Sequence, residues 1–256
     1  KFDTTEIAPM VKTDKAYYLE LFHGATIAFK DMALSILPHL MTTSAKKNKI
    51  ENEIIIKFSS EKSAFRGAHT LSKLIKGACY FETKDGYLSS FRYSKAQIEH
   101  ISQNSCDKDW LTYALMSGPQ RIEVKTNSTI VSFDYKSSKP HVNNTIDLYI
   151  NNVLYSVYHI NDILKGRVEF SLPQGQKKLS IYMPCESTVQ IKNFTIDGNY
   201  KSVKATGEKV LIIGDSITQG AGPNVASLAY ANGLVRELGY DILAQGIGGY
   251  RYEPND

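Results

Sequence analysis

Apolar and polar positions alternate in three different ways along this chain. Ala16-Tyr-Tyr-Leu-Glu-Leu-Phe22 is rich in aromatic and apolar residues and reads as a strand. His23-Gly24-Ala25-Thr26 turns the chain, and Thr26 can cap a helix over 27–43 that places Phe29, Ala33, Leu37 and Leu40 near one face, with Pro38 interrupting the run. Glu53-Ile-Ile-Ile56 begins another strand. Residues 57–72 are polar and mixed in charge and read as a linker or junction. The period then becomes two. Apolar segments at 75–81, 88–93, 121–125, 129–135, 146–150, 153–158, 167–172, 178–183 and 189–196 are separated by turn signals such as Lys84-Asp-Gly86, Asn151-Asn152 and Pro173-Gln-Gly175. Between them, 95–101 reads as a brief helix. From residue 205 the pattern changes again. Val210–Ile213 is a continuous apolar run, as in a buried parallel strand. A loop at 220–224, a helix at 225–238 closed by Gly239, and a strand at 241–245 follow.

These patterns predict a mixed fold: an N-terminal α/β fragment over 1–56, a β-sandwich over 73–200, jelly-roll-like in its many short strands, and the opening strand–helix–strand unit of an α/β domain over 205–256. Composition narrows the class without changing this division. At 256 residues, with 42% hydrophobic and 11% aromatic content, the chain is that of a globular protein. A net charge of +4 with both signs mixed gives no argument for a nucleic-acid partner, and no apolar run approaches the ~20 residues of a membrane span. Cys79, Cys106 and Cys185 are odd in number and far apart. They read as free thiols in a reducing, cytoplasmic setting, not as a disulfide framework or a metal site. His100, His141 and His159 have no acidic partner at a recognisable spacing and read as structural or surface residues, and the many tyrosines read as strand packing.

The chemistry concentrates where the apolar run ends. Gly214-Asp-Ser-Ile-Thr-Gln-Gly220 puts Ser216 on a tight turn at the carboxyl edge of a buried strand, where a nucleophile is held exposed. Thirty residues on, Gln245-Gly-Ile-Gly-Gly-Tyr250 makes a glycine-rich turn after the next strand. Together they resemble blocks I and II of the SGNH (GDSL-type) hydrolases, a family of esterases and lipases, and the sandwich resembles the domain that precedes the catalytic domain in some of them, carbohydrate acetylesterases included. The resemblance implies a flavodoxin-like three-layer α/β domain. It also implies Ser216 as nucleophile, and backbone oxyanion donors at Ser216 and Gly249, with Gly248 the less favoured alternative. Asp215 is expected to hold the turn. The implied substrate is an acyl or acetyl ester, of a small molecule or carbohydrate, with no metal or organic cofactor. The family's asparagine and Asp/His blocks have no counterpart here: Asn255-Asp256 lacks a preceding apolar strand, and every histidine precedes Ser216. On this reading the chain is truncated after block II, and these 256 residues alone are expected to be catalytically incompetent for want of a general base.

A second resemblance covers residues 1–56. Leu19-Glu-Leu-Phe-His-Gly-Ala-Thr-Ile-Ala-Phe-Lys-Asp-Met-Ala-Leu34 is similar to part of threonine synthase, a fold-type II pyridoxal-phosphate enzyme, and implies Lys30 as the lysine that forms the cofactor Schiff base. The Ser/Gly/Thr-rich phosphate loop that should follow is replaced by Lys57-Phe-Ser-Ser-Glu-Lys62, so the segment reads as a fragment and its join to the rest as a hybrid or fusion. Serine esterase, threonine-synthase fragment with pyridoxal phosphate, and non-catalytic carbohydrate-binding sandwich are therefore the three functional expectations.

Overall fold

The structure, a computed structural model, describes residues 10–12, 17–19, 71–105, 107–138, 145–160 and 163–250. The helix expected at 27–43, the strand at 53–56 and Lys30 lie outside these residues. Strands β1 (Met10–Lys12) and β2 (Tyr17–Leu19) form a short antiparallel pair.

Two antiparallel sheets make up the centre. Their strands are β3 (Ile75–Lys76), β4 (Tyr80–Lys84), β5 (Tyr87–Phe91), β6 (Arg121–Thr126), β7 (Ile130–Ser137), β8 (Thr145–Ile150), β9 (Val153–His159), β10 (Lys165–Ser171), β11 (Lys177–Tyr182), β12 (Val189–Ile196) and β13 (Tyr200–Ser202). One sheet runs β10-β7-β12-β5-β4, and the other β13-β6-β11-β8-β9 with β3 also paired to β6. Their inner faces meet in one core that includes Ile122, Val124, Val131, Phe133, Ile146, Leu148, Leu179 and Ile181. Leu71 and Leu74, from a helical turn at 71–74, belong to it as well. The alternation read from the sequence is thus the sandwich periodicity. Turns fall where expected: Asp85-Gly86 and Asn151-Asn152 all take positive φ, as two-residue hairpins require.

Three local features depart from the sequence reading. The single strand expected over 75–81 is broken by Gly77, with φ +76°, where a side chain would press on the Pro119 and Ile242 carbonyls. A helix at Asp109–Ala114 was not anticipated, because it is too short to show a period. The expected helix at 95–101 extends to Asn104, with a reciprocal capping box between Ser94 and Gln97. We label these α1 (Lys95–Asn104) and α2 (Asp109–Ala114).

Strand β6 alternates in sequence, yet nearly all of it is buried. Its polar face, Arg121 and Glu123, is covered and internally paired: Arg121 Nη2 lies 3.3 Å from Glu123 Oε2 and Lys178 Nζ 3.1 Å from Glu123 Oε1. Burial alone would raise the Glu123 pKa, but Arg121 and Lys178 outweigh it and hold the carboxyl below the usual glutamate range. Because the folded pKa is depressed, ionised Glu123 contributes stability above the unfolded value of ~4.3, and that contribution is lost as pH falls through the folded pKa. Urea midpoints measured from about pH 6 down to 3 should therefore fall more steeply for the wild type than for Glu123→Gln. Parallel curves would refute this role for the pair.

The last part is α/β. Strand β14 (Lys209–Gly214) pairs in parallel with β15 (Asp241–Gly246), in register Gly214↔Gly246. Between them come α3 (Ser216–Gln219), a 3₁₀ turn at Ala226–Leu228, and α4 (Tyr230–Leu238), ended by Gly239 in the left-handed conformation. The one helix expected over 225–238 is divided because Ala229 is extended (φ −53°, ψ 135°). Arg236, in the last turn of α4, reaches back to the Ser227 carbonyl at 2.6 Å. Ile212, Ile242 and Ala244 pack on Tyr230, Ala231, Leu234 and Val235 of α4. The run Val210–Ile213, expected to be buried, is only partly so: Ile213 is 44% exposed, because α4 covers only the face that Ile212 shares. Among the described residues no helix is long and apolar enough to cross a membrane.

Candidate active site

The site is built by the two loops that leave β14 and β15 side by side. Beyond the Gly214↔Gly246 register, the Ile247 amide donates to the Gly214 carbonyl at 3.0 Å, so both chains turn away at the same level. On the β14 side, Asp215 is extended, and its carboxylate accepts from the Ile217 amide at 3.0 Å, an N-cap that starts α3 immediately. This is the turn-holding role expected of it. Gly220 closes the helix after one turn with φ +103°, and the Gly220 and Ala221 amides both donate to the Ser216 carbonyl, at 3.0 and 2.9 Å.

Ser216 occupies the first helical position and is half-buried. Its N–H has no intrahelical acceptor, as helix geometry dictates. Among the described residues neither that N–H nor the Ser216 hydroxyl is engaged by another group.

On the β15 side, Ile247-Gly-Gly-Tyr250 forms a turn closed by the Tyr250 amide on the Ile247 carbonyl at 3.0 Å. Gly249 lies exposed in it with φ +72°, a conformation suited to glycine. Gly248 and Gly249 differ in their amides. The Gly248 N–H donates to Gln219 Oε1 at 2.8 Å, whereas that of Gly249 meets no acceptor among the described residues.

Gln219 had no assigned role in the sequence reading. It is 2% exposed and joins three segments. Its Oε1 receives Gly248, while its Nε2 donates to Met116 Sδ at 2.9 Å and to the Cys185 carbonyl at 3.4 Å. The motif's glutamine therefore clamps the α3 turn to the β15 turn and to the sandwich. The signal for it was its place at the end of the motif; what could not be read was its partners, which lie 29, 34 and 103 residues away. Behind α3, Thr218 Oγ1 and Tyr230 OH share a buried hydrogen bond at 2.9 Å, and burial pushes the Tyr230 hydroxyl far above the usual tyrosine range. Beside the β15 turn stands an aromatic cluster of Tyr93, Trp110 and Tyr113 with Ile247 and Tyr250, the Trp110 and Tyr250 rings 5.0 Å apart.

Other candidates fall elsewhere. His100 and His159 are exposed on α1 and β9, and His141, Cys106, Asn255 and Asp256 lie outside the described residues. Among the described residues no histidine or carboxylate bonds the Ser216 hydroxyl, and no cluster of His, Cys, Asp or Glu is arranged to hold a metal ion. Cys79 and Cys185 are free thiols whose pKa values burial pushes up, to about 11 and about 12, so both stay protonated and unreactive at neutral pH. Lys30 lies outside the described residues, and the pyridoxal-phosphate expectation with it. Chemically, the assembled groups offer a primary hydroxyl flanked by two unengaged backbone donors on adjacent, mutually braced turns.

No protein-family model matches this sequence, and no curated protein sequence matches it. Solved structures do. Salicylyl-acyltransferase SsfX3 from a tetracycline biosynthetic pathway superposes with a TM-score of 0.57 at 16% identity, over 68% of this chain and 51% of that one. A protein described as a GDSL-like lipase from Bacteroides ovatus superposes with a TM-score of 0.56 at 20% identity, over 72% of this chain and 56% of that one. The chain thus spans about half the length of the solved structures it matches. At these identities the likeness is one of fold: an antiparallel sandwich followed by a parallel α/β unit.

Proposed function

We propose that this chain carries the nucleophile and part of the oxyanion hole of a serine ester hydrolase. The observation that carries the proposal is the pair of unengaged N–H groups, Ser216 and Gly249, at the neighbouring ends of two parallel strands, with the serine hydroxyl on the same turn. In this reading Ser216 Oγ adds to the ester carbonyl carbon and its proton passes to a general base. The carbonyl oxygen, now anionic, is held by the two amides, usually the largest catalytic contribution. Collapse of the tetrahedral species breaks the bond to the alcohol, which leaves with the proton from the base. Water then releases the acid from the acyl-serine. Asp215 shapes the turn and takes no proton. Acyl or acetyl esters of small molecules, sugars included, are the substrate class, and the parallel pair belongs to a three-layer α/β domain.

Because no base bonds Ser216 among the described residues, the test supplies one. The purified chain is treated with a fluorophosphonate in the presence and absence of imidazole, and the modified residue is located by peptide mass spectrometry. Serine Oγ displaces fluoride from phosphorus, and imidazole takes the proton. Modification concentrated at Ser216 and accelerated by imidazole beyond that of other exposed serines is the expected result. Labelling of Ser216 at the rate of any surface serine would overturn the proposal.

A further inference from the structure

Arg92 is 0% exposed and follows β5 into the space between the sandwich and β15. Its guanidinium lies over the Tyr93 ring, 5.4 Å from the centroid, and donates hydrogen bonds only to carbonyls. Nε donates to Met116 O at 3.0 Å and Nη2 to Tyr113 O at 2.7 Å, at the C-terminal end of α2. Nη1 donates to Ala244 O at 3.2 Å and Gly246 O at 2.7 Å, at the end of β15. Alternate carbonyls of a strand point to the same side, and among the described residues β14 is the only strand paired to β15. Arg92 therefore occupies the place of a further strand along the edge that leads into the Ile247–Tyr250 turn. Its own carbonyl accepts from Gln245 Nε2 at 2.9 Å, so the contact is reciprocal. Among the described residues no carboxylate pairs with it. A buried cation satisfied only by neutral dipoles is costly, and an uncharged residue would serve a purely packing role at lower cost.

We propose that Arg92 is a positioning residue for acyl transfer at Ser216: from the sandwich it fixes the strand end that carries Gly249, and its unneutralised charge lies behind the oxyanion donors. Arg92 holds the Gly246 carbonyl and Gln219 the Gly248 amide, which fixes the residues leading into Gly249, and the Tyr250 amide on the Ile247 carbonyl closes the turn beyond it. A positive charge in a water-excluded setting favours an anionic tetrahedral species over the neutral ester, because no solvent screens it. This inference rests on the esterase reading.

Arg92→Lys and Arg92→Met are compared with the wild type by the rate of imidazole-dependent fluorophosphonate labelling at Ser216. Val131→Ala, in the sandwich core away from both loops, serves as a variant that lowers the unfolding midpoint without touching the turn. We expect labelling to fall on the order of 10-fold in Arg92→Lys, which keeps the charge but not the fork, and on the order of 100-fold in Arg92→Met, with Val131→Ala at the wild-type rate. Wild-type labelling rates in a folded Arg92 variant would overturn the proposal, as would an equal fall in Val131→Ala. If the wild type itself fails to label at Ser216, the esterase reading fails first, so the two failures are told apart. If neither Arg92 variant folds, amide exchange in the wild type decides. The Gly248 and Tyr250 amides must then exchange as slowly as those of β15, and exchange at loop rates would overturn the proposal.

Discussion

Ser216→Ala should reduce fluorophosphonate labelling of the motif peptide to zero while leaving the unfolding free energy within about 0.5 kcal/mol of the wild type. The two halves of that expectation come from the same observation. The Ser216 hydroxyl bonds to nothing among the described residues, and its side chain is only half-buried, so its removal leaves no donor unsatisfied and no cavity. Its neighbours in the motif behave oppositely. Asp215 caps α3, and Asp215→Ala should cost about 1 kcal/mol through the lost cap. Thr218 shares its hydroxyl with buried Tyr230, and Thr218→Val should cost a similar ~1 kcal/mol by orphaning that group. That contrast, a serine whose loss the fold does not register between two residues that the fold requires, is what the proposed nucleophile role predicts. Urea unfolding of the three variants, run beside the labelling assay, measures both quantities. A loss of 2 kcal/mol or more in Ser216→Ala would make this serine a structural residue.

How much of this was legible in the sequence depended on the range of the interactions involved. The strands of the sandwich and the hairpin at Asn151-Asn152 follow from period-two alternation and from residues that tolerate positive φ, both local properties. Ser216 and the cap by Asp215 follow from a strand ending in a short polar turn, again local. What stayed hidden was every contact between the sandwich and the α/β part. Nothing about Ser89-Ser-Phe-Arg-Tyr-Ser94 marks Arg92 as the guanidinium that would hold Gly246, since the two are 154 residues apart. Arg121 and Glu123 are the polar positions of an alternating strand, and only the covering of that face makes them a buried pair. That Gln219 accepts from the Gly248 amide is likewise set by how α3 docks on β15. The Val210–Ile213 run had the opposite fault. Its apolar character implied burial on both faces, and the packing shows one face covered by α4.

That docking leads to the second large effect. Gly246→Ala should destabilise the protein by about 3 kcal/mol, near the upper end for overpacking, and slow labelling at Ser216 by about 100-fold. A Cβ at Gly246 would fall on the backbone of Thr218 and Gln219 and 2.7 Å from the Asp215 carbonyl oxygen. These are main-chain atoms of the α3 turn, with no flexible side chain to swing aside, so relief requires α3 and the β15 turn to separate. Separation breaks the bond from Gly248 to Gln219 and changes the spacing between the Ser216 and Gly249 amides, the two groups proposed to hold one oxygen atom. Gly233, inside α4, provides the contrast: its Cβ would meet nothing within 4 Å, so Gly233→Ala should raise stability by about 0.5–1 kcal/mol with labelling unchanged. The pair of variants separates a glycine required by close approach from one that is merely tolerated. If Gly246→Ala unfolds at the wild-type urea concentration and labels at the wild-type rate, the two turns are not held in contact through Gly246, and the shared oxyanion geometry built on that contact fails with it.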